Sequence, residues 1–148
     1  MNNLSAVIQK NPPLVYLTCR KTFSAAHRLS SPHLSEKENQ AIFMQDYYPH
    51  GHGHDYVLEV TIKGKPDAKT GMVFSLFELG TLIEKTIIQV VDHRFLNKDI
   101  PVFEHLNPTI ENMAGVFWKW LTDALPKGLL WKIRIQETES YWVTYKGE

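Results

Sequence analysis

The chain has 148 residues, 43% of them hydrophobic and 22% charged, which is enough for one domain with a proper core. Lys and Arg together number 16, as do Asp and Glu, so no net basic field argues for nucleic acid or an anionic membrane. No apolar run approaches the length of a membrane span, and the opening MNNLSAVIQKNPPL lacks the apolar stretch of a secretory signal, so a cytoplasmic location is expected.

Residues 1–13 read as a loose arm and residues 14–148 as a single domain. Residues 14–27 form a long strand, rich in β-branched and aromatic side chains. The lone cysteine, Cys19, lies inside it and reads as a thiol packed within a strand rather than a nucleophile. The polar stretch LSSPHLSEKENQAIFMQDYYPH follows, mostly loop, with Ser35 and Glu38 spaced as a helix-capping box. Residues 55–64 alternate, with Tyr56, Leu58, Val60 and Ile62 on one face of a half-buried strand. Ser75 and Glu78 then open a helix whose apolar stripe is Leu76, Leu79, Ile83, Ile87, Val90 and Val91. A second helix starts at NPTIEN, with Pro108 in its first turn and a buried face of Met113, Val116, Phe117, Trp120, Leu121 and Ala124. Two strands, LLWKIRIQE and SYWVTYKG, finish the chain.

This order predicts an α+β fold, a four-stranded antiparallel sheet with two helices on one face. The other face and the sheet edges stay uncovered in a monomer, which predicts a homo-oligomer that closes its sheets into a barrel.

The stretch HGHGH, residues 50–54, carries the chemistry. His52 and His54 share one face of an extended chain, with glycines beside them to admit a ligand. Two imidazoles so placed are two thirds of a zinc site of the catalytic kind, which takes three protein ligands and leaves one position open. His50 and His54 start roughly 13 Å apart on a straight strand, too far for one ion bound at about 2 Å. Either the chain bends sharply at the glycines or the third ligand comes from elsewhere. His27 is the best donor, with the small Ser24, Ala25 and Ala26 beside it.

Three acidic positions stand out. Asp92 and His93 end the first helix, where they read either as a proton relay or as a charged helix terminus. Glu111, in the first turn of the second helix, suits the helix dipole, and Thr109 before it is a capping residue. Glu137 follows Ile133 and Ile135 on the presumed inward side, where a carboxylate needs a partner. A heterocycle edge with paired N–H donors would supply one.

FSAAHRL, GHGHDY, TGMV, VVDHRFLN, PTIENMA and QETESYWVTYKG, in this order, resemble the 6-pyruvoyl-tetrahydropterin synthases, with the related 6-carboxy-tetrahydropterin synthases of queuosine synthesis nearby. The resemblance runs from Thr22 to the C-terminus and implies the tunnelling fold, in which sheets of three subunits close a barrel and two trimers stack into a hexamer. It implies zinc on His27, His52 and His54, a charge-relay pair at Asp92 and His93, and pterin contacts from Thr109, Glu111 and Glu137. The implied reaction is a lyase step on 7,8-dihydroneopterin triphosphate that yields 6-pyruvoyl-tetrahydropterin and triphosphate.

One departure matters. The cysteine that serves as base in the animal-type enzymes falls at Asp46 here, and the cysteine position of the queuosine branch falls at Tyr48. A carboxylate is the weaker base. Three explanations compete: Asp46 substitutes as base; His50 or the Asp92–His93 pair takes over, giving 6-carboxy- or side-chain-cleaved products; or the protein binds pterins with little turnover. The long loop between His27 and His52 favours the pyruvoyl type.

Overall fold

The computed structural model describes residues 3–148. Its elements are α1 (Leu4–Lys10), β1 (Val15–His27), α2 (Glu36–Phe43), β2 (His52–Gly64), α3 (Leu76–Ile83), α4 (Gln89–Val91), β3 (Arg94–Phe95), α5 (Leu96–Asp99), α6 (Ile110–Ala124), β4 (Leu130–Gln136) and β5 (Trp142–Tyr145). Within the segment expected as a loose arm, α1 is a short helix that buries none of its side chains. Met1 and Asn2 lie outside the described residues.

The α+β class stands, but the sheet does not match the four antiparallel strands expected. It has five strands in the order β3-β1-β2-β4-β5, and β3 runs parallel to β1. β3 is only two residues long, pairing opposite Ala25 and Ala26, so no alternation in the sequence reveals it. β1 and β2 pair antiparallel without interruption from Val15↔Gly64 to His27↔His52.

The alternation along β2 holds: Tyr56, Leu58, Val60 and Ile62 are fully buried, with Ile135 and Ile133 of β4 paired beside Leu58 and Val60 on the same face. Each such side chain contributes roughly 1.5–3 kcal/mol of burial. Phe23 stacks on Tyr56 at 4.9 Å and meets Phe117 of α6 edge-on at 5.9 Å, tying sheet to helix next to the histidines.

Capping follows the serines. Ser35 and Glu38 form the complete box on α2, while Ser75 accepts the Glu78 N–H at the start of α3. Between α3 and α4 the helix widens into a π turn, Glu84–Ile88. Leu79, Ile83, Ile87 and Val91 are buried as expected; past the π turn the stripe shifts, so that Ile88 joins them and Val90 is exposed, while Leu76, the first residue of α3, is exposed at the helix start. At the end of α6 Leu125, not Ala124, closes the core. Pro108 lies before the first turn of α6 rather than in it, because Thr109 is the N-cap, accepting the Asn112 N–H at 3.3 Å.

Candidate metal and pterin site

Strand pairing builds the histidine cluster. His27 is the last residue of β1 and lies directly across from His52; His54 lies across from Ala25. Paired residues of antiparallel strands share a face, so all three imidazoles rise on the side of the buried Tyr56. Ring centroids are 4.6 Å apart for His27 and His52, 4.8 Å for His52 and His54, and 5.3 Å for His27 and His54. One nitrogen from each lies within 4.8 Å of the others, so the three histidines are placed to hold a metal ion. Gly51 makes the entry into β2 with φ +72°, and a Cβ there would meet the His27 carbonyl oxygen at 2.8 Å. His50 stays exposed outside the cluster, and the third imidazole is that of His27.

The hydrogen bonding fits a cation. His27 Nδ1 lies 2.8 Å from the Pro108 carbonyl oxygen, which can only accept, so Nδ1 carries the proton and Nε2 keeps its lone pair. That lone pair points at His52 Nε2, 3.0 Å away. Without a cation, the contact needs a proton on His52 Nε2, which leaves His52 Nδ1 a buried acceptor with no partner. Burial pushes the His27 pKa down to about 4, assisted by the neighbouring His52 and His54 and opposed by the Pro108 bond. Burial also lowers His54. Neutral imidazoles at neutral pH are the form that binds zinc.

Two carboxylates flank the cluster. Asp46 sits in a 3₁₀ turn, Met44–Tyr47, held by a bond from the Leu29 N–H to its carbonyl at 2.9 Å, and its Oδ1 is 3.4 Å from His52 Nε2. Glu137, one residue past β4, brings Oε1 to 3.6 Å from His27 Nε2 and 3.7 Å from His54 Nε2. Burial raises the Glu137 pKa, with the charge of Asp46 adding to it and the Tyr56 hydrogen bond opposing. Glu111 is exposed in the first turn of α6, and its charge acts on Glu137 in the same raising direction. The Thr109 hydroxyl is engaged as the helix cap.

Asp92 and His93 do form a pair. The helix ends at Val91, Asp92 is extended, and His93 adopts φ +56°, which lets two neighbouring side chains meet with His93 Nδ1 2.9 Å from Asp92 Oδ2. Asp92 Oδ1 accepts the Ser24 N–H at 2.8 Å, the main cause of its lowered pKa. Ser24 belongs to the sheet face opposite His27, and no hydrogen bond or ion pair among the described residues joins this pair to the three histidines. His93 is 82% exposed, beside an open cleft of about 490 Å³ over Ser24, Gly53 and Asp55. The chain thus gathers His27, His52, His54, Asp46 and Glu137 at one place and points Asp92–His93 outward.

Sequence reasoning missed the Pro108 carbonyl and the Tyr56 hydroxyl, which lies 3.4 Å from Glu137 Oε1. A backbone acceptor leaves no mark in residue type. Tyr56 shares the parity of His52 and His54, which was a usable signal.

Residues 16–148 match the family described as 6-pyruvoyl tetrahydropterin synthase. The chain belongs to that family. It is 44% identical over 141 residues to the 6-pyruvoyl tetrahydrobiopterin synthase of Poecilia reticulata, covering 93% of this chain and 96% of the relative. It is 43% identical over 129 residues to the human protein of that name, covering 87% and 89%. The solved structure of 6-pyruvoyl tetrahydropterin synthase from Caenorhabditis elegans superimposes with a TM-score of 0.88 at 37% identity, covering 92% of this chain and 97% of that one. No helix among the described residues is long and apolar enough to cross a membrane.

Proposed function

We propose that this chain is a zinc-dependent lyase of the 6-pyruvoyl-tetrahydropterin synthase type. It converts 7,8-dihydroneopterin triphosphate into 6-pyruvoyl-tetrahydropterin and releases triphosphate in the cytoplasm. The observation that carries the reading is the convergence of three imidazole nitrogens with the Glu137 carboxylate 3.6 Å from one and 3.7 Å from another.

His27, His52 and His54 would hold the zinc, which supplies Lewis-acid polarisation of the side-chain hydroxyls and so acidifies the neighbouring C–H. Glu137 would take the paired N–H donors of the pterin edge in bidentate fashion, with Thr109 and Glu111 on the same side. Asp46, the carboxylate on the other flank of the cluster, would remove the carbon-bound proton, and loss of the triphosphate follows. Asp92 orients the His93 imidazole through Nδ1, leaving Nε2 free to shuttle protons.

Because Asp92–His93 points away from the histidines of its own chain, the full constellation calls for a neighbouring copy. The sheet supports association. β3 covers the outer edge of β1 only at Ala25 and Ala26, β5 is an edge strand, and Tyr16 and Trp142 are 53% and 51% exposed. A barrel built from three copies, doubled into a homohexamer, would cover these edges.

Replacement of the usual thiol by Asp46 favours one second reading, a pterin-binding protein with little turnover; Cys19 packs against the core along β1 and offers no substitute thiol. Incubating zinc-loaded protein with 7,8-dihydroneopterin triphosphate separates the two. The lyase releases triphosphate and forms the 6-pyruvoyl product; tight pterin binding without release supports the second reading and sinks the first.

A further inference from the structure

Asp46 reaches to 3.4 Å from His52 Nε2 out of a turn that buries none of its side chains. Between His27 and His52, residues 28–51 bury only Asn39. Asn39 serves its own segment: it donates to the carbonyls of Ser31, Leu34 and Ser35 and accepts the Ser31 N–H. Beyond the His52 contact, no donor among the described residues holds the Asp46 carboxylate. Its place is therefore set by the backbone on either side of it.

Two hydrogen bonds tie that backbone to the end of β1. The Leu29 N–H donates to the Asp46 carbonyl at 2.9 Å. Arg28 Nε donates to the Tyr47 carbonyl at 3.2 Å, and its guanidinium lies over the Tyr47 ring, 4.1 Å from the centroid. Arg28 is itself fixed. Asn97 of α5 accepts its backbone N–H at 2.8 Å and donates to its carbonyl at 2.9 Å, as a neighbouring strand would. The guanidinium thus grips the residue after Asp46 at backbone and ring, from the position directly after His27. We infer that Arg28 is a positioning residue: it clamps Tyr47 and so holds the Asp46 carboxylate beside the metal ligands without touching the substrate. A planar guanidinium can donate in its plane and stack through its face at once; an ammonium does not reproduce that pair of contacts. A turn with so little buried surface opens locally, well short of global unfolding. A misplacement of about 1 Å at a reacting group is enough to lower a rate on the order of 10²-fold.

The inference rests on Asp46 being the base, and the experiment keeps the two apart. Arg28→Lys keeps the charge and loses the clamp. In zinc-loaded protein the Leu29 amide, whose acceptor is the Asp46 carbonyl, should exchange with deuterated solvent about tenfold faster in Arg28→Lys, with the amides of β2 unchanged. With 7,8-dihydroneopterin triphosphate, kcat should fall about tenfold at unchanged KM and zinc content. Tyr47→Leu, which removes the ring and keeps the carbonyl, should give smaller changes of the same kind, and Tyr47→Phe should restore both readings. In an Asp46→Asn background, Arg28→Lys should lower kcat no further. Unchanged Leu29 exchange, a raised KM in place of a lowered kcat (the mark of a phosphate contact), or an equal fall in the Asp46→Asn background overturns the inference while Asp46 remains the base. If Asp46→Asn turns over as fast as the unmutated protein, or the unmutated protein does not turn over, Asp46 is not the base and the inference falls with it.

Discussion

His27 Nε2 and His52 Nε2 face each other at 3.0 Å across paired positions of β1 and β2. Two neutral imidazoles in that relation share a proton or share a cation, and the bond from His27 Nδ1 to the Pro108 carbonyl fixes which nitrogen is offered. His27→Ala should therefore reduce bound zinc from about one per chain to nearly none. His50→Ala should leave it intact, since His50 lies outside the cluster. Metal analysis of the two purified variants checks this.

Stability of the metal-free protein should depend on pH through His27. Its folded pKa, about 4, lies below the ordinary 6.5, so the unfolded chain takes up the proton first as pH falls. The stabilisation from burying neutral His27 is complete above about pH 6.5 and is lost on descending toward pH 4. A difference of this size corresponds to at most roughly 3 kcal/mol. Glu137 acts oppositely, because its raised pKa makes the folded state the better proton binder in acid. The net loss is then smaller than His27 alone would give. Urea denaturation of metal-free protein at pH 7, 5.5 and 4.5 should show a falling midpoint; a flat profile would contradict the burial of a neutral imidazole.

Asp46 should matter for turnover and little for binding. Asp46→Asn removes the base and keeps the shape, so kcat should fall on the order of 10²-fold while zinc content and pterin affinity hold. Asp46→Cys should retain or raise activity, since the thiolate is the stronger base. Steady-state kinetics on the three proteins decides whether the residue beside His52 is the base.

The outward set of Asp92 and His93 predicts complementation between chains. Asp46→Asn and His93→Ala should each be nearly inactive alone. Mixed before assembly, they should recover part of the activity, because some sites then take an intact Asp46 from one chain and an intact His93 from another. Absence of recovery in verified mixed oligomers would place the relay within a single chain.

Much of this site can be read in the residues themselves. The parity of His52, His54 and Tyr56 follows from strand geometry, which left either a sharp bend at the glycines or a ligand from another segment, and His27 was the candidate with small neighbours. Alternation along β2 located the core. Other features depend on tertiary context. β3 is too short to carry a pattern, and the π turn moves Val90 out of a stripe that looked continuous. The meeting of Asp92 with His93 depends on a left-handed His93, a conformation that its residue type does not announce. Thr109 was recognisable as a cap, yet its neighbour Pro108 holds the metal-ligand candidate through a backbone oxygen.

Anomalous diffraction at the zinc edge, from crystals of the protein grown with zinc and a bound pterin, tests the central claim most directly. One strong peak per chain is expected at bonding distance, about 2 Å, from a nitrogen of each of His27, His52 and His54, with the pterin ring against Glu137. A peak elsewhere, or pterin density away from Glu137, would contradict it.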